Sequence, residues 1–281
     1  MGNQVKTFLL LALMTGVIMF FGQLIGGQTG LIIAFAIALA TNFFAYWFSA
    51  NIVLAKNKAR VVGPQDAPEL YQLVEHLASN AGLPTPRVAI VDDPSPNAFA
   101  TGRNPSHAVV AVTRGLLNIM TREELAGVLS HELAHVKHRD ILICSLAAVF
   151  ASVIMLLANF AKFTALFSGG RDGRGGNPIA ALLMAFLAPM AAMLIQAAIS
   201  RSREYLADDG GADIAGTSFG LANALEKLSQ GTSRGVVTAT ATPETANLYI
   251  VNPLHLGGLN NLFATHPPIE ERIQRLRGMR T

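Results

Sequence analysis

The string His131-Glu132-Leu133-Ala134-His135 holds the most concentrated chemistry in this 281-residue chain. On a helix, positions four apart share a face, so both imidazoles can reach one ion while Glu132, one step round, points at a water on it. That arrangement suits metal-assisted hydrolysis of a peptide bond, with Glu132 as the base. A bare HExxH also fits two histidines on a solvated helix face.

Catalytic zinc takes three protein ligands and keeps one position open. Extending the motif along the same helix would need glycine at position 138 and histidine at 141, where the chain has His138 and Ile141. A glutamate from a second helix is then the natural donor. Glu204 stands out because Glu204-Tyr205-Leu206-Ala207-Asp208 places a second carboxylate one turn on. Glu204 can ligate while Asp208 accepts a hydrogen bond from the distal nitrogen of a ligand histidine, fixing its tautomer. Two alternatives stand beside this: an exposed acidic helix end compensated by Arg201 and Arg203, and His138 as a rival ligand on the face of His135.

The elements that must position these residues are partly membrane elements. The chain is 51% hydrophobic and 14% charged, against about 25% charged in soluble domains. From Thr7 to Ala55 there is no Asp, Glu, Lys or Arg, and Gly26–Gly30 divides the stretch into runs at Phe8–Ile25 and Leu31–Ala50. Each is near the ~20 helical residues that cross a bilayer. A cleaved signal peptide is the alternative for the first run, but no small-x-small cleavage site precedes a mature domain and a second run follows at once.

A second pair lies at Ile141–Phe167 and Ile179–Ile199, the latter carrying Pro189, joined by the Gly-rich linker Ser168–Asn177. Lys and Arg gather beside one end of each run (Lys6; Lys56, Lys58 and Arg60; Lys137 and Arg139; Arg201 and Arg203), against Arg171 and Arg174 on the other side. Both termini are therefore expected in the cytoplasm. The pI of about 9.2 reflects basic residues near anionic headgroups, and no basic, aromatic-interleaved patch calls for a nucleic acid. A single cysteine, Cys144, excludes an internal disulfide framework.

Between the apolar pairs, Pro68–Gly82 has helical periodicity and a Gly82-Leu83-Pro84 stop. Short β-type runs follow at Arg87–Val91, Asn97–Thr101 and Ala108–Thr113. Thr121 and Glu124 form a capping box that starts the helix bearing His131 and His135. Ser200–Gly210, Ser218–Ser229 and Pro268–Arg277 read as helices, the last with Ile269, Ile273 and Leu276 on one side, while Gly231–Asn252 has little periodicity. His135 lies six residues before the third run and Glu204 about five after the fourth. At ~1.5 Å per helical residue, the metal sits within ~10 Å of the cytoplasmic interface.

The fold expected is a mainly α membrane protein, with four transmembrane helices and a zincin-like α+β catalytic domain containing a small β-sheet. The parts are an N-terminal hairpin (1–55), a first catalytic part (56–140), a second hairpin (141–199) and a second catalytic part (200–281).

Four stretches together, Asn97–Gly102, His131–His135 with Arg139-Asp140, Ser202–Asp208 and Thr265–Ile273, resemble the HtpX-type membrane peptidases, bacterial relatives of the prenyl-protein (CAAX) protease superfamily among the gluzincins. The resemblance implies one zinc per chain at His131, His135 and Glu204, a cytoplasm-facing site in the inner membrane, and quality control of misfolded membrane proteins under stress. It further implies that Asn97, Ala98, Phe99 and Ala100 belong to the edge strand on which substrate lies, an ordinary sheet strand being the alternative. His266 is similar to a family histidine that steadies the oxyanion or blocks the cleft; a helix-start histidine is the plainer reading.

Partners implied are membrane-protein or membrane-adjacent polypeptides and the bilayer. A non-catalytic zinc-containing chaperone or scaffold is the alternative from another class. Structural zinc sites usually close with four ligands, often including Cys, and Cys144 lies too deep in an apolar run to serve. A metal transporter would need polar residues within the runs, where only Lys162 qualifies.

Overall fold

The computed structural model describes residues 2–167, 201–233, 250 and 267–279. The chain opens with α1 (Asn3–Lys56), which breaks where Gly26 and Gly27 leave helical geometry, Gly27 at φ 55°. Its limbs, Asn3–Leu24 and Gly26–Lys56, are 22 and 31 residues long, enough to cross the ~30 Å hydrocarbon core. The limbs pack side by side. A Cβ on Gly22 would lie 2.6 Å from the Gly30 carbonyl oxygen, so the close approach requires glycine. Asn42 Nδ2 ties the limbs further by donating to Leu11 O (3.1 Å) and Thr15 Oγ1 (2.8 Å). Outward, Phe8, Leu24, Ile32, Phe43 and Trp47 are exposed, an apolar surface suited to lipid.

A four-stranded sheet follows in the order β1-β2-β4-β3, built from β1 (Ala59–Val62), β2 (Arg87–Val91), β3 (Ala98–Thr101) and β4 (Val109–Thr113). β2 and β4 are parallel; the outer pairings are antiparallel, with Ala98 opposite Val112 and Ala100 opposite Val110. Side-chain alternation sends Val88, Ala98, Val110 and Val112 to a core shared with the later helices and Val91, Phe99, Val109 and Ala111 to a second core against α1 and α5. Burial on both faces explains why β4 is apolar at almost every position.

α2 (Pro68–Ala81) ends on Gly82 in the left-handed region, where Leu83 N–H reaches Ala78 O at 2.9 Å. The short α3 (Arg114–Ile119) precedes α4 (Arg122–Lys137). α4 turns 91° into α5 (Ile141–Phe167). The chain after residue 200 contributes α6 (Arg201–Ala215), α7 (Phe219–Ser233) and α8 (Ile269–Gly278). α4 is the hub, packing on α6, α7, α2 and β3. A Cβ on Gly211 of α6 would stand 3.0 Å from the His131 backbone, so glycine lets α6 lie directly on α4.

Sequence periodicity located α2, α4, β2 and β4 to within a residue or two, but gave no sign of β1 or α3. β1 is four residues following directly on a membrane helix, with Lys58 and Arg60 obscuring its alternation. α3 is a six-residue turn capped by the last residue of β4, Thr113, whose Oγ1 accepts from Leu116 N–H at 3.2 Å. The third apolar run forms α5, whose first half buries Ile143, Leu146, Phe150 and Ile154 against α1 and the sheet while Leu142, Ser152, Val153 and Met155 stay partly exposed. The fourth run Ile179–Ile199, the linker Ser168–Asn177 and His266 lie outside the described residues, as does most of 231–252.

The capping box is complete: Thr121 Oγ1 accepts from Glu124 N–H at 3.3 Å, and Glu124 Oε2 accepts from Thr121 N–H at 2.7 Å. Lys227 of α7 also reaches Glu124. Burial opposes ionisation of Glu124, but the bonds from Lys227 and Thr121 outweigh it and hold the carboxyl below its usual range. A carboxyl depressed by folding contributes stability above its unfolded value, and that contribution fades as pH falls through its folded value. Thermal unfolding in detergent should therefore show Thr121→Ala less stable by about 1 kcal/mol. Glu124→Gln should be destabilised at neutral pH and lose less further stability than wild type on acidification below about 4.3.

Candidate metal centre

Three donors converge where α4 meets α6. His131 Nε2 and His135 Nε2 lie 3.2 Å apart, and Glu204 Oε2 and Oε1 stand 3.8 and 3.5 Å from them respectively. All three ligand atoms fall within 4.8 Å of one another. Tetrahedral donors about 2.0–2.1 Å from one ion stand roughly 3.3 Å apart, close to the spacing found.

The bonds behind the ring nitrogens sharpen the fit. His131 Nδ1 donates to Asp208 Oδ1 at 3.0 Å, and His135 Nδ1 donates to Asp140 Oδ2 at 3.4 Å. When both rings are neutral with their protons on Nδ1, both Nε2 lone pairs point at each other and at a carboxylate. Such a cluster of bare acceptors is repulsive unless a cation lies among them. The residues fit a metal.

Each partner is itself held. Arg272 of α8, 1% exposed, grips Asp208 with Nη2 (2.7 Å) and Nε (2.9 Å), sends Nη1 to Ile250 O (3.1 Å), and lies 3.9 Å from Glu204. Asp140 pairs with Arg203 Nη1 at 2.8 Å and accepts from Asn3 Nδ2 at 3.1 Å. Asn3, the first residue of α1, also donates to the His138 and Arg139 carbonyls. A residue of the first membrane limb thus fastens the turn that follows the metal helix.

Glu132 sits beside the donors, 5% exposed, accepting from the outward-turned Ala100 N–H of β3 at 2.9 Å. Burial pushes its carboxyl up to about 7, with Glu204 adding to the rise. That range suits a group that takes and returns a proton. Burial drives His131 down to about 4, only partly offset by Asp208. Burial also opposes charge on His135, but the bond to Asp140 and the carboxylates of Glu204 and Glu132 outweigh it and lift the imidazole to about 9. Metal binding is thereby coupled to loss of the His135 proton.

Residues 64–280 match the family model described as Peptidase family M48. The chain belongs to that family. Among M48 relatives, it is 55% identical over 283 residues to a "Protease HtpX homolog" of Desulfatibacillum aliphaticivorans, covering 100% of this chain and 91% of that one. A protein of the same name from Pyrococcus furiosus is 54% identical over 277 residues, covering 98% and 96%. The crystal structure of S. mikatae Ste24p shares the fold, with a TM-score of 0.51 and 19% identity; the match covers 98% of this chain but 65% of that one, under two thirds of its length. Membership of M48 makes the chain a protease of metallo type, and its two apolar N-terminal limbs fit a membrane protein.

His131, His135, Glu204, Glu132 and Asp208 therefore come together in this M48 chain, while His138 is exposed at the end of α4. Ala98, Phe99 and Ala100 form the outer strand, all less than 7% exposed. Asn97 is engaged inside the protein: its N–H donates to Thr113 Oγ1, and its Oδ1 accepts from Ile250 N–H. Sequence reasoning read Arg272 as structural without finding its partner, and missed the roles of Asp140 and Asn3. The available signals were faint: Asp140 closes a turn five residues after His135, and Arg272 falls on the Ile269–Leu276 side of α8.

Removing a bond behind a ligating histidine typically weakens metal binding by about 10–100-fold. Asp208→Asn and Arg272→Gln should each lower metal affinity within that range while the protein remains folded, as measured by competition with a chromophoric chelator. Affinities at the wild-type level would remove these residues from the support of His131.

Proposed function

We propose that this chain is a zinc-dependent endopeptidase of the cell inner membrane that cleaves misfolded or damaged membrane proteins, or membrane-adjacent polypeptides, at the cytoplasmic interface as part of a stress response. The observation that carries this reading is the convergence of His131, His135 and Glu204 with Glu132 alongside, at the turn fastened by the first membrane limb. In this reading the chain crosses the membrane four times, through 1–55 and 141–199, with both termini and the catalytic parts 56–140 and 200–281 on the cytoplasmic side. The lysine and arginine asymmetry supports that orientation.

His131, His135 and Glu204 would hold one zinc per chain, two imidazoles and a carboxylate being a common catalytic set with a position left open. Bound there, zinc supplies Lewis-acid polarisation of the scissile carbonyl and a lowered pKa for attacking water. Glu132 would take the water proton and deliver it to the leaving amine, a role supported by its place next to His131 on α4 and its bond from Ala100 N–H of the outer strand. Asp208 and Asp140 keep both imidazoles in the ligating tautomer. His266 is proposed as a donor to the oxyanion or as a gate over the cleft.

The outer strand supports a substrate path. The Ala100 N–H that binds Glu132 faces away from β4, so an extended peptide pairing along Asn97–Ala100 would lie over the metal donors and beside the base.

Glu132→Gln separates the roles. The variant should keep its zinc and lose cleavage of an unfolded membrane substrate by at least about 10²-fold, assayed with full-length protein in detergent. Cleavage at the wild-type rate would dismiss Glu132 as the base.

A further inference from the structure

Near the end of the second limb of α1, a cavity of about 380 Å³ lies between that limb and one end of the sheet. Its wall is shared by the membrane helix and the catalytic part. Trp47 and Ser49 come from α1, Arg87 from the start of β2, and Arg103 and His107 from the β3–β4 connection. No Asp or Glu lines it. Neither arginine makes an ion pair among the described residues.

Two further features mark the cavity as built to receive something. The Ser49 hydroxyl is in a residue only 1% exposed and has no hydrogen-bond partner among the described residues; a buried hydroxyl without a partner is uncommon and calls for one. Arg103 rests on the Trp47 ring, its guanidinium carbon 4.8 Å from the centroid, which fixes the cation at the cavity wall. Phe43, Phe44, Trp47 and Phe48 are all roughly half exposed and contact one another. They form the last lipid-facing stretch before Asn51 and Lys56, where tryptophan characteristically marks the membrane–water boundary.

We propose that this cavity binds the phosphate of an anionic phospholipid headgroup, held by Arg87, Arg103 and the Ser49 hydroxyl. Guanidinium forks match phosphate oxygens, and the site has two. The lipid, rather than free phosphate, is the carrier because Trp47 both lines the cavity and belongs to the exposed aromatic surface suited to lipid.

The site is also wired to the catalytic strand. Gly102 separates Arg103 from β3 at φ 141°, a tight bend in which a Cβ would meet the His107 carbonyl oxygen at 2.5 Å. Two residues before Gly102, Ala100 holds Glu132. A bound headgroup therefore steadies the connection from which the outer strand emerges. The proposal depends on the membrane placement of α1 and not on which metal or substrate the protein takes.

Native mass spectrometry of the full-length protein in mild detergent tests it, comparing phosphatidylglycerol with phosphatidylcholine of the same acyl chains. Wild type should retain phosphatidylglycerol preferentially, and Arg87→Gln/Arg103→Gln should weaken retention on the order of tenfold. Arg114→Gln/Arg122→Gln, which removes the same charge from exposed positions outside the cavity and away from the membrane end, should stay near wild type. Arg87 is exposed, so Arg87→Gln alone, with a smaller loss in the same direction, decides the matter if the double variant folds poorly. No preference for phosphatidylglycerol, or equal losses in cavity and control variants, would overturn the site. Millimolar inorganic phosphate should leave the lipid bound; displacement by phosphate alone would overturn the lipid assignment. Zinc content and cleavage are read separately, so failure here leaves the protease reading standing.

Discussion

Two carboxylates one turn apart on α6, Glu204 and Asp208, are buried to within 3% and 1% exposure, and that placement constrains the rest of the site. Like charges so close repel, and burial removes the water that would screen them. Arg272 answers both, with a fork onto Asp208 and its Nη1 3.9 Å from Glu204. Glu204 also faces the two imidazoles, the group that could hold a metal ion. The fork is a long-range tie: it joins α6 to α8 and fixes the partner of His131. Without it Asp208 would be an uncompensated buried charge, and the orientation of His131 would rest on its own rotamer.

His135 is held differently, through Asp140, Arg203 and Asn3. The contributors come from the turn after the metal helix, from α6 and from the first residue of the first membrane limb. One histidine is thus oriented from within the catalytic part and the other partly from the membrane part. This explains why α4 must turn sharply at Arg139, whose φ is 59°. The turn brings Asp140 back under His135 and sends α5 off against α1. Metal geometry and membrane packing are determined at the same few residues.

The metal donors were legible in the sequence because their information is local. Spacing four apart on one helix, a capping box, and two acids one turn apart can all be read from short strings. Asp208 was legible as a partner for the same reason. Arg272 was not: it sits among Glu270, Glu271, Arg275 and Arg277, where one more charge looks like solvated helix, and its partner lies 64 residues away. Asn3 was still less visible, bonded across 135 residues to a backbone carbonyl, a contact with no side-chain signature at its far end. β1 was hidden by length and flanking charge. The outer strand was recognisable as a strand, but only the fold shows that its Ala100 N–H is spent on Glu132.

The central claim is that three residues from two helices hold one zinc. Metal analysis of purified full-length wild type and Glu204→Ala, with helicity checked by circular dichroism, tests it most directly. We expect one zinc per wild-type chain and its loss from a folded Glu204→Ala variant. Unchanged zinc in that variant, or a folded wild type that binds none when zinc is supplied, would contradict the claim.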